Sequence, residues 1–590
     1  MNPNSDKDMS RLSKAIKVSR RALRPFREKR AKMVQDYVGT HYGSGGPDKE
    51  NVMNLMYQTA DTYVQALSAN RPRVLISTKH NEYTWFAHHF EVGLNNLIAE
   101  IKLEEVLRRA VLEAFFSVGI VKVYNADAGL VQLEGEDEWV DPGKPYADLV
   151  SLDDWFYDVR ATSWRKSKFC GNRYRVPYDK FLRDDSLDKK VKDEIKPTSR
   201  STHDVSLEGD RPVSDMLDGE SDKDDYEEMV MLQDCWIPET NQIITMAEDH
   251  HKKPLRVLDW DGPEGGPFHL LSFADVPDHV MPLSPAMTLK PLSDMINGLL
   301  RKQRRQAQRQ KDIPFYQSGS HDDAKRLQRA EDGQWTRVDN PDSVNVLKMG
   351  GVDQGNLAFR MSMQEVYDRM AGNLQAMAGL GPQSDTLGQD RLIHSQVSKR
   401  QANMQYKVVR FAEGICRDIG WLLWSDEILE IPGTSDLEGF QVDSSWTPEK
   451  REGDWFDYNF KVEPYSMQYK SPSERAAALT QFISQIAMPM FPMMQEYGGN
   501  IDIQELVEIY ADLMDMPRLR QVIMFEEPKK DRPGPNPAQP PGPKGQQGQD
   551  NRTTTSVPTG GTAENKSHVM QQLLAGGQPN QDQMANMGRM

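Results

Sequence analysis

The segment Pro291–Lys311 places the tightest limit on how this chain can fold. Its first half carries Leu292, Met295, Ile296, Leu299 and Leu300 at i, i+3, i+4, i+7 and i+8, an apolar stripe along one helix face. Ser293 and Asp294 supply a capping oxygen and a negative charge near the start of such a helix. The second half, Arg301-Lys302-Gln303-Arg304-Arg305-Gln306-Ala307-Gln308-Arg309-Gln310-Lys311, keeps strong helix formers but has no acid and no hydrophobic side chain larger than alanine. Such a helix has no face to bury in its own domain. It stands in solvent, against a polar partner, or beside a polyanion.

Asp312-Ile313-Pro314 ends this helix, because the residue before a proline resists the α region. A short insert follows, with turn clusters at Ser318-Gly319-Ser320 and Asp332-Gly333 and strand-like runs at Pro314–Gln317, Gln334–Val338 and Val344–Met349. The helical period returns with Phe359, Met363, Val366, Met370, Leu374 and Met377, and breaks at Gly379-Leu380-Gly381-Pro382. Gln383–Asp390 reads as an exposed polar loop. A third helical stretch, Arg391–Trp424, runs through Ile393, Val397, Met404, Val408, Phe411, Ile415, Ile419 and Leu422.

That order of helix, small β insert, helix, polar loop and very long helix resembles the central part of the portal proteins, the head-to-tail connectors of tailed bacteriophages. The resemblance implies a first stem helix ending at Lys311 (residues 283–311) and a clip over 312–353. It further implies a second stem helix over 354–378, a tunnel loop over 379–390 and a long wing helix over 391–425. A second stretch, from Val150 through Asp153, Asp154, Trp155-Phe156-Tyr157 and Asp158 to Thr162, resembles the wing segment of short-tailed-phage portals. There a strand (here Phe169–Arg175) and a small helix (here Tyr178–Asp184) follow. Val159 stands where that family often has proline.

By this resemblance the chain is a mixed α+β, portal-like protein: helical stem, long wing helix, β-rich wing, small β-containing clip, helical C-terminal crown and disordered tail. The resemblance also implies a structural ring, dodecameric in that family, at one capsid vertex of the virion. It would be made in the host bacterial cytoplasm and would conduct double-stranded DNA without sequence specificity during packaging and ejection. Its expected partners are the terminase, the major capsid protein, scaffolding and tail adaptor proteins. No cofactor, metal or enzymatic activity is expected.

The rest of the chain is read from its residues. A basic arm (1–48) carries Arg20, Arg21, Arg24, Arg27, Lys29, Arg30 and Lys32, with Leu23, Phe26, Met33 and Val34 available to dock it. Pro25 is expected to start or kink that helix rather than sit inside it. A solvated amphipathic helix and a contact with DNA or a neighbouring subunit both fit the arm. The wing (49–282) reads as a helix over Lys49–Asn70, a strand from Val74, and one helical block over Asn81–Phe116. It continues with a strand at Ile120–Tyr124, a hairpin or two short strands over Asn125–Val140, and a meander over Met229–Pro238, Gln242–Glu248 and Leu255–Leu258. Between them Asp184–Glu228 reads as an acidic, partly disordered excursion. Further wing strands (426–470), including a half-buried one at Asp457–Glu463, precede crown helices (471–526) and a Pro- and Gln-rich tail (527–590).

Lys and Arg number 72 against 88 Asp and Glu, a net charge of −16, so any nucleic-acid contact must come from local basic segments. Cys170, Cys235 and Cys416 lie far apart in sequence and form neither a zinc pattern nor a disulfide framework. No apolar run reaches the ~20 residues that span a bilayer, and no membrane partner is expected. The N-terminal residues lack the apolar core of a signal peptide.

No Walker-type phosphate loop and no Gly-x-Ser-x-Gly elbow is present. His88-His89 and His250-His251 are adjacent pairs with divergent side chains, read as surface histidines. Asp153, Asp154 and Asp158 are read as turn and cap residues. The functional candidates are therefore three sets. Arg301, Lys302, Arg304, Arg305 and Arg309 meet phosphates or a neighbouring subunit. Gln383, Ser384, Asp385, Thr386 and Gln389 line the channel with weak, replaceable contacts. Arg20, Arg21, Arg24, Arg27 and Arg30 are the arm contacts. Two rivals remain: a non-ring nucleic-acid-binding protein using the basic helices, and a metal-dependent nuclease using the three aspartates.

Overall fold

The computed structural model describes residues 5–39 and 53–467, except 198–227, 373–386 and several short internal stretches; nothing after 467 is described. The chain divides into two compact units, Met1–Ala478 and Leu479–Met590, and every described residue belongs to the first. That unit is a mixed α+β fold. The crown and tail expectations lie outside the described residues, as does the tunnel loop up to residue 386; its last four positions, 387–390, begin a helix rather than a loop.

A 33-residue helix, α1 (Asp6–Val38), opens the fold. It continues past Pro25, which sits inside the helix rather than at its start as the sequence allowed. Buried Leu12, Ile16, Leu23, Arg27, Arg30 and Met33 hold both sides of the proline against the body, which outweighs the one backbone bond that the ring removes. Then come α2 (Leu55–Leu67), β1 (Val74–Thr78), α3 (Thr84–Glu100) and α4 (Leu103–Phe116). The expected single helical block is thus two helices, because Lys102 takes a left-handed φ of 53° between them. The turn lets Leu94, Leu97 and Ile98 of one helix and Leu107, Ala110 and Phe115 of the other enter the same core.

Strands follow in quick order: β2 (Gly119–Ala126), β3 (Val131–Gln132), β4 (Trp139–Val140), β5 (Lys144–Leu149), β6 (Trp155–Tyr157) and β7 (Cys170–Pro177). The hairpin expected within 125–140 is the antiparallel β3–β4 pair. Strand β5, which contains Pro145, had no counterpart in the sequence reading; it pairs along β2 as an edge strand, where a proline is tolerated. Two short helices, α5 (Tyr178–Arg183) and α6 (Lys189–Lys192), precede the meander β8 (Met229–Ile237), β9 (Gln242–Ala247) and β10 (Arg256–Asp259). The acidic excursion starts later than expected. Leu187, Val191 and Ile195 are buried against Phe181, Val230, Leu232 and Leu255, so 184–197 is part of the packed body.

Strands β6 to β10 form one antiparallel five-stranded sheet in the order β10-β9-β8-β7-β6. Gly171 sits at its tightest point: a Cβ there would lie 2.0 Å from the Asp234 carbonyl oxygen and 2.7 Å from the Phe156 ring. Cys170 pairs with Trp236 and Gly171 with Cys235 across β7 and β8. The two cysteines, distant in sequence, thus come onto adjacent strands, but the alternation of strand side chains sends them into different clusters on opposite faces. A second sheet, β11-β2-β5, is completed by β11 (Phe268–Leu271).

Next comes the central segment: α7 (Pro285–Gln308), β12 (Lys311–Tyr316), α8 (His321–Arg329), β13 (Val344–Met349), α9 (Gln354–Ala371) and α10 (Leu387–Ser425). Three expectations need correction. Helix α7 starts close to the expected residue 283, six residues before Pro291, but ends at Gln308, and Lys311 already belongs to β12; Ser284 is the N-cap, its side chain accepting the Met287 N–H, and Pro285 takes the first turn, where a missing N–H costs nothing. Between the two strands lies helix α8, and Gln334–Val338 is irregular rather than a strand, while β12 pairs directly with β13. Helix α9 ends at Ala371 instead of Ala378, because Gly372 takes φ 98° and caps it. The long helix was read closely: it spans Leu387–Ser425, and Met404, Val408, Phe411, Ile415, Ile419 and Leu422 are all buried.

The chain closes with the hairpin β14 (Thr434–Leu437) and β15 (Phe440–Asp443), then β16 (Tyr458–Val462). The last strand alternates buried and exposed as its sequence implies, and it pairs with β1 from the start of the wing. Around this closure lies an aromatic cluster, with Phe90 4.7 Å from Trp446 and Trp455 4.5 Å from Phe460. Burying aromatics from α3, α10 and the C-terminal strands together ties the two ends of the unit into one core.

Candidate assembly and nucleic-acid interface

Helices α7 and α9 form an antiparallel hairpin. Lys302 Nζ donates to Asn356 Oδ1 at 3.5 Å, and the Asp353 N–H donates to Gln306 Oε1 at 3.5 Å, so positions rise along one helix as they fall along the other. The 24 residues of α7 make a rod of about 36 Å. Its base is bolted to the body. The Asn297 side chain both accepts from the Met53 N–H (3.0 Å) and donates to the Met53 carbonyl (3.1 Å), and Lys290 pairs with Asp36 of α1. On α9 the Tyr367 hydroxyl donates to the Leu55 carbonyl and shares a hydrogen with Thr59, while Tyr63 donates to the Ala371 carbonyl. Burial pushes the Tyr367 hydroxyl up to about 12, so it stays a donor throughout the physiological range.

Beyond this base the hairpin is poorly covered. Among the described residues, eleven of the twenty exposed large hydrophobic side chains fall between Leu283 and Met370. The apolar stripe expected on α9 is split. Met363 and Val366 are partly buried, whereas Phe359 is 48% exposed and Met370 43%. Met361, at 59%, and Leu357 are exposed too, on a side of the helix turned away from Phe359, and neither lies on the stripe visible in the sequence. In the β insert Trp335 is fully exposed beside Arg326, Arg329 and Arg337. An exposed cluster of this size on one segment is what a protein contact surface offers.

The basic run on α7 lies on the same hairpin. Lys302, Arg304, Arg305 and Arg309 are exposed and Arg301 is half-buried, while Gln303 is the buried position among them. Of the channel candidates, Gln383, Ser384, Asp385 and Thr386 lie outside the described residues. Gln389 is in the first turn of α10, with its side chain outside the description.

The arm arginines divide by helix face. Arg21 and Arg24 are exposed, and Arg24 pairs with Glu28 on its own helix (2.9 Å). Arg20, Arg27 and Arg30 turn inward. Arg20 pairs with Glu248 at 2.5 Å, and Arg27 donates to the backbone carbonyls of Arg20 and Asp153. Arg30 makes a two-pronged pair with Glu113, both contacts at 2.8 Å, and reaches Asp153 at 3.2 Å. Burial works against its charge, but the two carboxylates more than offset it and hold the guanidinium further from deprotonation than usual. Sequence alone could not separate these two sets, because the periodicity of a basic helix does not show where acids wait in the body.

The acidic triplet is occupied as well. Asp153 receives Arg30, Asp154 lies 3.3 Å from Arg173, and Asp158 Oδ1 accepts the Arg160 N–H in a turn. Among the described residues no cluster of His, Cys, Asp and Glu is set to hold a metal ion, and no helix is long and apolar enough to cross a membrane. His89 departs from the expected surface position: it is buried on α3 with its ring edge-on to Trp85 at 5.0 Å. His250-His251 lie outside the described residues.

Neither a protein-family model nor a curated protein sequence matches this chain.

Under the five-stranded sheet Asp234 accepts from Lys122 Nζ (2.8 Å), Tyr174 Oη (3.0 Å) and Thr245 Oγ1 (2.8 Å). Burial pushes its carboxyl up, but Lys122 and these hydrogen bonds outweigh that and leave it below the usual carboxylate value of 3.8. A carboxyl with a depressed folded pKa stabilises the fold above its unfolded pKa and loses that contribution as pH falls through the folded value. The urea midpoint of wild type should therefore exceed that of Asp234→Asn by a constant margin above about pH 5, a margin that shrinks through the acid range. An unchanged margin down to acid unfolding would show that Asp234 is not ionised in the fold.

Proposed function

We propose that this chain is a ring-forming portal-type structural protein. In that reading identical copies pack side by side at one capsid vertex. The ring conducts double-stranded DNA during packaging and ejection, and docks terminase and tail adaptors on the β insert. One observation carries the reading: a helical hairpin, capped by a small β ribbon and fixed to the body at its base, leaves its apolar flank uncovered. A flank of that kind is stable in water when other copies bury it. The order of α7, β ribbon, α9 and the 39-residue α10 supports the same assignment, since it follows stem, clip, stem and wing helix. The basic run of α7 then meets DNA or the acidic faces of neighbouring copies, and the segment before α10 faces the channel.

Native mass of the purified full-length protein, with negative-stain images of the same peak, tests this. A closed ring with a central hole is expected. A monomer at high concentration, even with scaffolding protein present, overturns it.

A non-ring nucleic-acid-binding protein is the second reading, favoured by the exposed Lys302, Arg304, Arg305 and Arg309. It requires that the monomer itself bind DNA, with affinity that falls steeply as salt rises. No observation favours a nuclease, since Asp153 and Asp154 are taken up in ion pairs and Asp158 in a turn.

A further inference from the structure

A cavity of about 760 Å³ opens between α10 and the β11 end of the wing, and its chemistry is unlike that of the hairpin. Trp236, Phe268 and Phe411 give it a buried apolar floor. Tyr406, Lys407 and Arg410 line it from successive positions of α10, and Arg165 from the β6–β7 connection. His269 stands on the same wall, fixed by Asp418 at 2.8 Å.

Four observations bear on what would fill it. The indole N–H of Trp236 is buried and has no acceptor within the protein. Lys407 is used within the protein, donating to the Phe273 carbonyl (3.2 Å) and to Asp275 (3.1 Å). Arg165 and Arg410, in contrast, have no carboxylate partner among the described residues. Tyr406 is 58% exposed, with the Arg410 guanidinium 5.4 Å from its ring centroid. Lys407, Arg165 and Arg410 face Glu264 and Asp275, which leaves one positive charge in excess.

An unmatched donor and two unpaired guanidinium groups call for an oxyanion, while an open tyrosine ring calls for a planar group to stack on it. The volume lies within the range of small-molecule sites. We propose that this cleft binds a nucleoside monophosphate, its phosphate on Arg165 and Arg410, an oxygen on the Trp236 N–H and its base against Tyr406. The proposal is independent of ring assembly, since every residue it uses lies in one copy.

The test titrates the full-length protein with AMP, adenosine and inorganic phosphate, read by tryptophan fluorescence and by calorimetry. AMP should bind saturably, and adenosine and phosphate each at least about tenfold more weakly. Arg410→Ala should weaken AMP about tenfold or more, Tyr406→Ala should abolish the advantage of AMP over phosphate, and Lys189→Ala, an exposed position outside the cleft, should change nothing. Unaltered near-ultraviolet circular dichroism shows that each variant is folded. Absence of saturable AMP binding to wild type, or equal binding by wild type and folded Arg410→Ala, overturns the proposal.

Discussion

Arg30→Ala is expected to lower the stability of the described unit by about 3–5 kcal/mol, the usual cost of removing one member of a buried ion pair. The guanidinium is 6% exposed, and its loss would strand two carboxylates from different parts of the fold, Glu113 on α4 and Asp153 before β6. Without the guanidinium, the burial of both carboxylates loses the charge that offsets it most directly. The damage should spread along α1, because Arg20 and Arg27 brace the same helix against Glu248 and the Asp153 carbonyl. Urea unfolding followed by circular dichroism measures the shift. Arg24→Ala is the control: its pair with Glu28 is about half exposed on both sides, and the expected cost is below about 0.5 kcal/mol. Equal midpoints for the two variants would show that α1 is a loosely attached arm rather than a brace.

The other large effect concerns assembly. Under the proposed ring assembly, Phe359→Glu combined with Met361→Glu should yield monomers while leaving the monomer's melting temperature unchanged. In one copy these side chains are 48% and 59% exposed, so charging them removes little intramolecular packing. In a ring each would lose about 1.5–3 kcal/mol of burial and would place a carboxylate in the contact. Each 1.4 kcal/mol is about a tenfold change in dissociation constant, so the pair weakens every contact by about a hundredfold or more. Light scattering on the eluting peak reads the outcome. A double variant that assembles as wild type does would exclude both positions of α9 from the interface.

Both expectations rest on faces that the sequence shows only in part. The stripe at Phe359, Met363, Val366 and Met370 announces a helix, and a helix is found there. It does not announce a partner: the body takes in Tyr367 through Leu55 and Thr59 of α2, with Met363 packed beside that core, and Phe359 and Met370 are left open. Likewise, Arg20, Arg21, Arg24, Arg27 and Arg30 look alike as a string. Only the placement of Glu113, Asp153 and Glu248 divides them into inward braces and outward charges.

What the sequence determined by itself was local. The long helix, the meander, the final alternating strand and the helix–strand–helix order are legible because hydrophobic period is a property of neighbouring residues. Boundaries at single residues were less so: Ser284, Lys102 and Gly372 act through capping or a left-handed turn, signals one residue long. The tertiary structure decided the rest. The β1–β16 pairing, the Arg30 pairs and the cleft around Trp236 each join residues far apart in the chain. Contacts of that kind leave no period behind, since either partner could meet many surfaces, and only the packed core selects one.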